Sequence, residues 1–168
     1  PPAPRPRSRV ISDDERDAVL AALNYDETGL VITRQQHVAV AFLLALETCM
    51  RAGEVRTCSV RGKVARLEVT KNGDAREVPL SKRARTLFAK VAGKVDVSAK
   101  SLDALFRKAR EKAGLSGFTF HDARATGCTR LARKVDVLTL AKIIGHRDPK
   151  SLMIYYRESA ESIADRLD

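Results

Sequence analysis

Asn72-Gly73 is the most restrictive dipeptide in the sequence. Both residues tolerate positive φ, as the centre of a tight hairpin requires. Ahead of it, Ala65, Leu67 and Val69 alternate with Arg66 and Glu68, the period of a half-buried strand. A return strand is expected over 75–80, with Val78 and Leu80 on one face. Pro79 puts that strand at an edge or its own end, because proline has no N–H for the ladder. The chain is therefore expected to contain a small antiparallel sheet.

Around the hairpin the signals are helical. Ser12 with Glu15, and Thr33 with Gln36, have the spacing of capping boxes. The second opens a long apolar helix that ends near Met50. A helix follows Ser81 and closes at Gly93. Leu102, Leu105, Phe106 and Ala109 fall at helical spacing, with Gly114 as the stop. Thr119 and Asp122 read as an N-cap pair for a helix to about Arg133. Asp136 caps a helix carrying Leu140, Ile143 and Ile144, which Gly145 ends. Asp148-Pro149 opens another helix, and Ser159 a last one. The fold class expected is mainly α with a small antiparallel β-sheet (α+β). Residues 1–10 read as a basic Pro/Arg-rich linker, and 11–168 as one domain.

Charge narrows the function. The 168 residues carry a formal net charge of +10. A balance that basic points to a polyanion, either nucleic acid or an anionic membrane surface. The longest apolar run, 38–46, is far short of the roughly 20 residues that a span needs, so no membrane partner is expected. Cys49, Cys58 and Cys128 form no C-x-x-C pair. They read as reduced thiols in a cytosolic protein, without the ligand spacing of a zinc site.

Several polar residues stand at element junctions, where a core needs no charge. They are Arg51, Lys71, His121, Arg124, His146 and the adjacent Tyr155 and Tyr156. Each has an ordinary reading alone. Arg51 could cap a helix C-terminus, Lys71 could be a solvated turn residue, His121 could start a helix, His146 could sit in a loop, and the tyrosines could edge the core. Their significance lies in the set and its order.

That set resembles the tyrosine recombinase family, the integrase-type site-specific recombinases. The carrying segments are Thr48-Cys49-Met50-Arg51-Ala52-Gly53-Glu54-Val55, Thr70-Lys71-Asn72-Gly73 through Val78-Pro79-Leu80, His121-Asp122-Ala123-Arg124, Gly145-His146 and Met153-Ile154-Tyr155. The family orders its functional residues as Arg, Lys, His-x-x-Arg, His or Trp, then Tyr. The resemblance implies Arg51, Lys71, His121, Arg124, His146 and Tyr155 as the catalytic set, double-stranded DNA as substrate, a homotetramer at synapsis and no metal or cofactor. The stretch 54–64 is shorter and more basic than is usual in the family, so a first strand is left unassigned there. The family's N-terminal DNA-binding domain has no counterpart in the sequence.

The chemistry accounts for the residue types. Attack on a phosphodiester adds a second negative charge in the pentacoordinate transition state. Two guanidiniums present planar forks to the nonbridging oxygens. Forming tyrosine phenolate at pH 7 costs roughly 4 kcal/mol. The resemblance gives His121 as proton acceptor, Lys71 as proton donor to the leaving 5′-oxygen, and His146 as a hydrogen-bond donor to the phosphate. Two other readings compete. Residues 137–156 could pass for a non-catalytic helix-turn-helix, which leaves Lys71, His121 and Arg124 unexplained. A type IB topoisomerase is the second, but those enzymes typically have lysine at the position of His121.

Overall fold

The computed structural model describes residues 9–68 and 73–168. The hairpin residues 69–72, and Lys71 with them, lie outside the described residues, as does most of the linker reading. Eight α-helices and three strands are formed among the described residues: α1 (Asp13–Ala22), α2 (Arg34–Thr48), α3 (Ala52–Thr57), β1 (Ser59–Arg61), β2 (Val64–Leu67), β3 (Arg76–Pro79), α4 (Lys82–Lys90), α5 (Ala99–Lys112), α6 (Asp122–Leu131), α7 (Val137–Ile144) and α8 (Ala160–Asp165). A 3₁₀ helix, Pro149–Tyr155, lies between α7 and α8. The mainly helical fold with a small antiparallel sheet is the one the sequence led us to expect.

Side-chain caps begin these helices where the sequence marks them. Ser12, Thr33, Ser81, Asp136 and Ser159 each accept a backbone N–H from the first turn of their helix. Gly145 ends α7 at φ 74°, a conformation open to glycine. Helix α2 is the axis of the domain. Residues 38–46 are buried on every side, as an apolar helix of uniform composition requires. Helices α3, α4, α5 and α6 pack around it. Phe42 meets Phe106 and Phe120 in tilted ring contacts, with Phe118 beyond Phe106. The fold already engages Arg9, which pairs with Glu15 and stands over the Phe118 ring.

Four local details differ from the sequence reading. Strand β1 fills the segment left unassigned, and turns into β2 at Gly62, whose φ is 59°. Leu67 faces Arg76 across the ladder, whereas a two-residue turn at Asn72-Gly73 would pair it with Val78. That two-residue displacement keeps Ala65, Leu67 and Val78 on the buried face, so the core tolerates it. Helix α6 starts at Asp122, later than expected, because the Asp122 carboxylate accepts the Thr119 N–H at 2.7 Å and ties down the preceding turn. The segment after Pro149 winds as 3₁₀ instead of α. There the Ser151 hydroxyl donates to the Asp148 carbonyl at 3.1 Å.

Gly127 sets the distance between α2 and α6. A Cβ there would lie 2.7 Å from the Leu46 carbonyl oxygen and 3.1 Å from that of Ala45. Both neighbours are backbone and cannot rotate away. Gly127→Ala should therefore destabilise the domain by about 1–3 kcal/mol, the usual range for overpacking. A lowered urea midpoint at unchanged slope is the expected result. An unchanged midpoint would show that the helices part without cost.

Candidate active site

Three helix ends converge beside α6. Helix α2 stops at Cys49, which takes a left-handed conformation at φ 60°. That turn directs the Cys49 carbonyl at α6, where Arg124 Nη1 donates to it at 2.6 Å. Arg124 Nη2 reaches the Ile144 carbonyl at the end of α7, at 3.2 Å. One guanidinium thus lies at the negative ends of two helix dipoles, a favourable place for a buried cation. Burial, followed by repulsion from Arg51, holds Arg124 below the usual arginine range, yet an arginine remains charged in proteins.

Arg51 stands at the N-terminus of α3, where its backbone N–H donates to Glu54 Oε2 at 2.9 Å. Its Nη1 donates to Glu54 Oε1 at 3.1 Å. Burial alone would raise the Glu54 carboxyl, but hydrogen bonds from Arg76 and the Arg51 amide, with the charges of Arg76 and Arg124, hold it below the usual range. Arg124 Nη1 comes within 3.9 Å of the same carboxylate. The cluster therefore sets three guanidiniums, those of Arg51, Arg76 and Arg124, against one carboxylate. Two positive charges are left without a counter-charge in the cluster.

His146 follows the α7 cap. Its Nε2 is 3.5 Å from Arg124 Nη2 and its Nδ1 is 3.0 Å from Ser151 Oγ. Ser151 uses its own hydrogen on the Asp148 carbonyl. The neutral ring consequently carries its proton on Nδ1 and turns the Nε2 lone pair to Arg124. Burial first, then the Arg124, Arg51 and Arg76 charges, push its pKa down and favour that neutral form. His121 is exposed at the start of α6 and lines a surface cleft with Ala52 and Gly53, the residues that follow Arg51. Tyr155 ends the 3₁₀ helix, half-buried. Its hydroxyl is pushed up to about 12, by burial and then by the thiols of Cys128 and Cys49, against the pull of Arg124. Cys49 is itself raised, first by its hydrogen bond with Cys128 and then by burial. The neighbouring Tyr156 turns the other way and donates to the Val135 carbonyl at 2.7 Å.

Of the six residues singled out, Arg124 meets His146, Arg51 and Arg124 border the same Glu54 carboxylate, and Tyr155 is close enough to feel Arg124. His121 opens on the adjoining cleft, and Lys71 lies outside the described residues. The sequence reading passed over Glu54 and Arg76. One signal for Arg76 was available: it shares strand parity with Val78 and Leu80, both buried, and a charge in register with a buried face needs a partner.

A mainly helical domain that gathers two arginines, a histidine and a tyrosine at helix ends has the fold of tyrosine recombinase catalytic domains. The chain belongs to the phage integrase family, whose family model matches residues 9–162. It is 36% identical over 177 aligned positions to a Haemophilus influenzae protein named "Putative integrase/recombinase", covering 98% of this chain and 58% of that one. It is 35% identical over 141 positions to the shufflon-specific DNA recombinase of Escherichia coli, covering 77% of this chain and 37% of that one. The chain spans about half the length of the curated relatives it matches. The catalytic domain of bacteriophage HP1 integrase shares the fold, with a TM-score of 0.69 at 17% identity over 94% of this chain and 92% of that one. The Tn1549 transposon integrase, solved in complex with circular intermediate DNA, has a TM-score of 0.70 at 18% identity, over 97% of this chain and 66% of that one.

Proposed function

We propose that the chain is the catalytic domain of a site-specific DNA recombinase that cuts and rejoins double-stranded DNA through a 3′-phosphotyrosyl intermediate. The observation that carries this reading is the pair of uncompensated positive charges around Glu54. The pentacoordinate transition state bears two negative charges, and preorganised donors are worth most where charge develops. Arg51 and Arg124 grip the nonbridging oxygens. The Tyr155 oxygen attacks phosphorus, the bond to the 5′-oxygen breaks, and the tyrosine proton passes to His121. Lys71 supplies the proton that the leaving 5′-oxygen takes up. His146 completes the phosphate contacts through Nε2, once the ring is protonated or its tautomer changes. The phosphotyrosyl bond keeps the energy of the broken one, so a 5′-hydroxyl can reverse the step without metal, cofactor or ATP.

The relatives named as recombinases and the DNA-bound Tn1549 integrase support DNA as the substrate. We read four copies acting on two paired duplexes, in the cytoplasm on nucleoid DNA. No helix among the described residues is long and apolar enough to cross a membrane. The test is a nicked duplex whose short 5′-hydroxyl fragment diffuses away after cleavage. A protein–DNA adduct that survives denaturation is the expected result, and strand exchange between two sites then separates a recombinase from a topoisomerase. DNA binding with no adduct on any nicked site would leave only a binding module.

A further inference from the structure

The carboxylate that organises the site is held by a residue outside the six. Arg76, on β3, donates through Nη1 to Glu54 Oε1 and through Nη2 to Glu54 Oε2, each at 2.9 Å. Its Nε donates to the Ile143 carbonyl at 3.1 Å. A Cβ on Gly145 would lie 3.1 Å from Arg76 Cδ and from Nη1, so the end of α7 passes directly over the guanidinium. One side chain therefore joins β3, α3 and α7. Arg51 leads into α3, His146 follows α7, and Lys71 precedes Arg76 by five positions (76 − 71) in the sequence.

A carboxylate has about four acceptor sites. At Glu54, Arg76 fills two, and the Arg51 amide and Nη1 fill two more. Arg124 Nη1 is left at 3.9 Å, beyond hydrogen-bond reach. Without Arg76 the buried carboxylate has two empty acceptor sites, and leaving them so is costly. The nearest donors are Arg51 and Arg124. Arg51, whose Nη1 already donates to Oε1, would be drawn further onto the carboxylate, and Arg124 would turn toward it, each away from any anion in the site.

We infer that Arg76 is a positioning residue for strand cleavage: by saturating Glu54 it keeps the Arg124 fork, and the part of the Arg51 fork that Glu54 does not hold, available to the scissile phosphate. The inference rests on the reading above, in which those forks bind that phosphate.

The test compares single-turnover cleavage of the nicked duplex by the full chain and by Arg76→Gln, Arg76→Lys and the double variant Arg76→Gln/Glu54→Gln. The amplitude reports how much protein is folded, and the rate constant reports the geometry of the folded fraction. Arg76→Gln should lower the rate constant about 100-fold, comparable to the loss of one preorganised donor. Removing the orphaned charge as well should restore it at least about 10-fold, because a neutral amide no longer attracts the two arginines. Arg76→Lys keeps the charge without the fork, and should fall between the parent and Arg76→Gln; it carries the comparison if the glutamine variant does not fold. A reduced amplitude at an unchanged rate constant would assign Arg76 to fold stability alone and overturn the inference. So would a slow Arg76→Gln that the Glu54 change fails to restore. Should the parent chain itself form no adduct, the recombinase reading has failed, a result distinct from either of these.

Discussion

Arg124→Lys should lower the single-turnover cleavage rate about 10²–10³-fold while DNA affinity changes little. The guanidinium contributes at two levels. Its Nη1 and Nη2 close the carbonyl ends of α2 and α7 at 2.6 and 3.2 Å, which fixes its plane before any phosphate arrives. That fixed plane makes it a preorganised donor for charge that develops only in the transition state, and losing one such donor costs on the order of 3–4 kcal/mol. An ammonium can bond one of the two carbonyls, but it cannot span both and still present a fork. The variant should also melt lower, because a helix end buried without its donor is destabilised. Rates come from nicked-duplex cleavage, affinity from titration of the same duplex, and folding from thermal melting. A folded Arg124→Lys that cleaves within a few-fold of the parent would remove this arginine from the reaction.

Tyr155→Phe should abolish the covalent adduct completely and leave DNA binding intact, since only the hydroxyl is lost. The two adjacent tyrosines are already told apart by their partners. Tyr156 is bonded to the Val135 carbonyl at 2.7 Å and anchors the end of the 3₁₀ helix. Tyr155 faces the Cys128 thiol within the field of Arg124. Its raised pKa means that phenolate formation costs more here than in water. The hydroxyl must therefore gain the proton acceptor proposed above, His121, or further cations of the chain before it can attack. Tyr156→Phe should still form the adduct, at a cost of about 1 kcal/mol in stability for the lost hydrogen bond. Peptide mapping of the trapped adduct decides the matter. DNA attached to Tyr156, or an adduct with Tyr155→Phe, would reverse the assignment.

Much of the scaffold was legible because its determinants are local. Ser12, Thr33 and Asp136 mark helix starts through bonds within one turn, and Gly145 marks an end through its own φ. The hairpin was legible as a motif but not in register, because the buried face fixes register only to a multiple of two residues. The 3₁₀ winding after Pro149 has no signature in apolar spacing over seven residues. Helix α3, six residues long, is too short to show a period. The candidate site was legible to the extent that the family's order of residue types is carried in the sequence. Glu54 was not, because its importance arises from donors that arrive from β3 and α6. Arg76 reaches Glu54 only when β3 is laid beside α3 and α7.

The Cys49 and Arg124 bond joins positions 75 apart in the chain, and the Arg76 and Ile143 bond positions 67 apart. Contacts of such separation close late, after the loop entropy between them has been met. A chain that has not yet formed α6 and α7 accordingly holds only the Arg51, Glu54 and Arg76 part of the cluster. Arg124, which joins the ends of α2 and α7, is added only when α6 packs. The same long-range bonds that complete the fold also complete the candidate site.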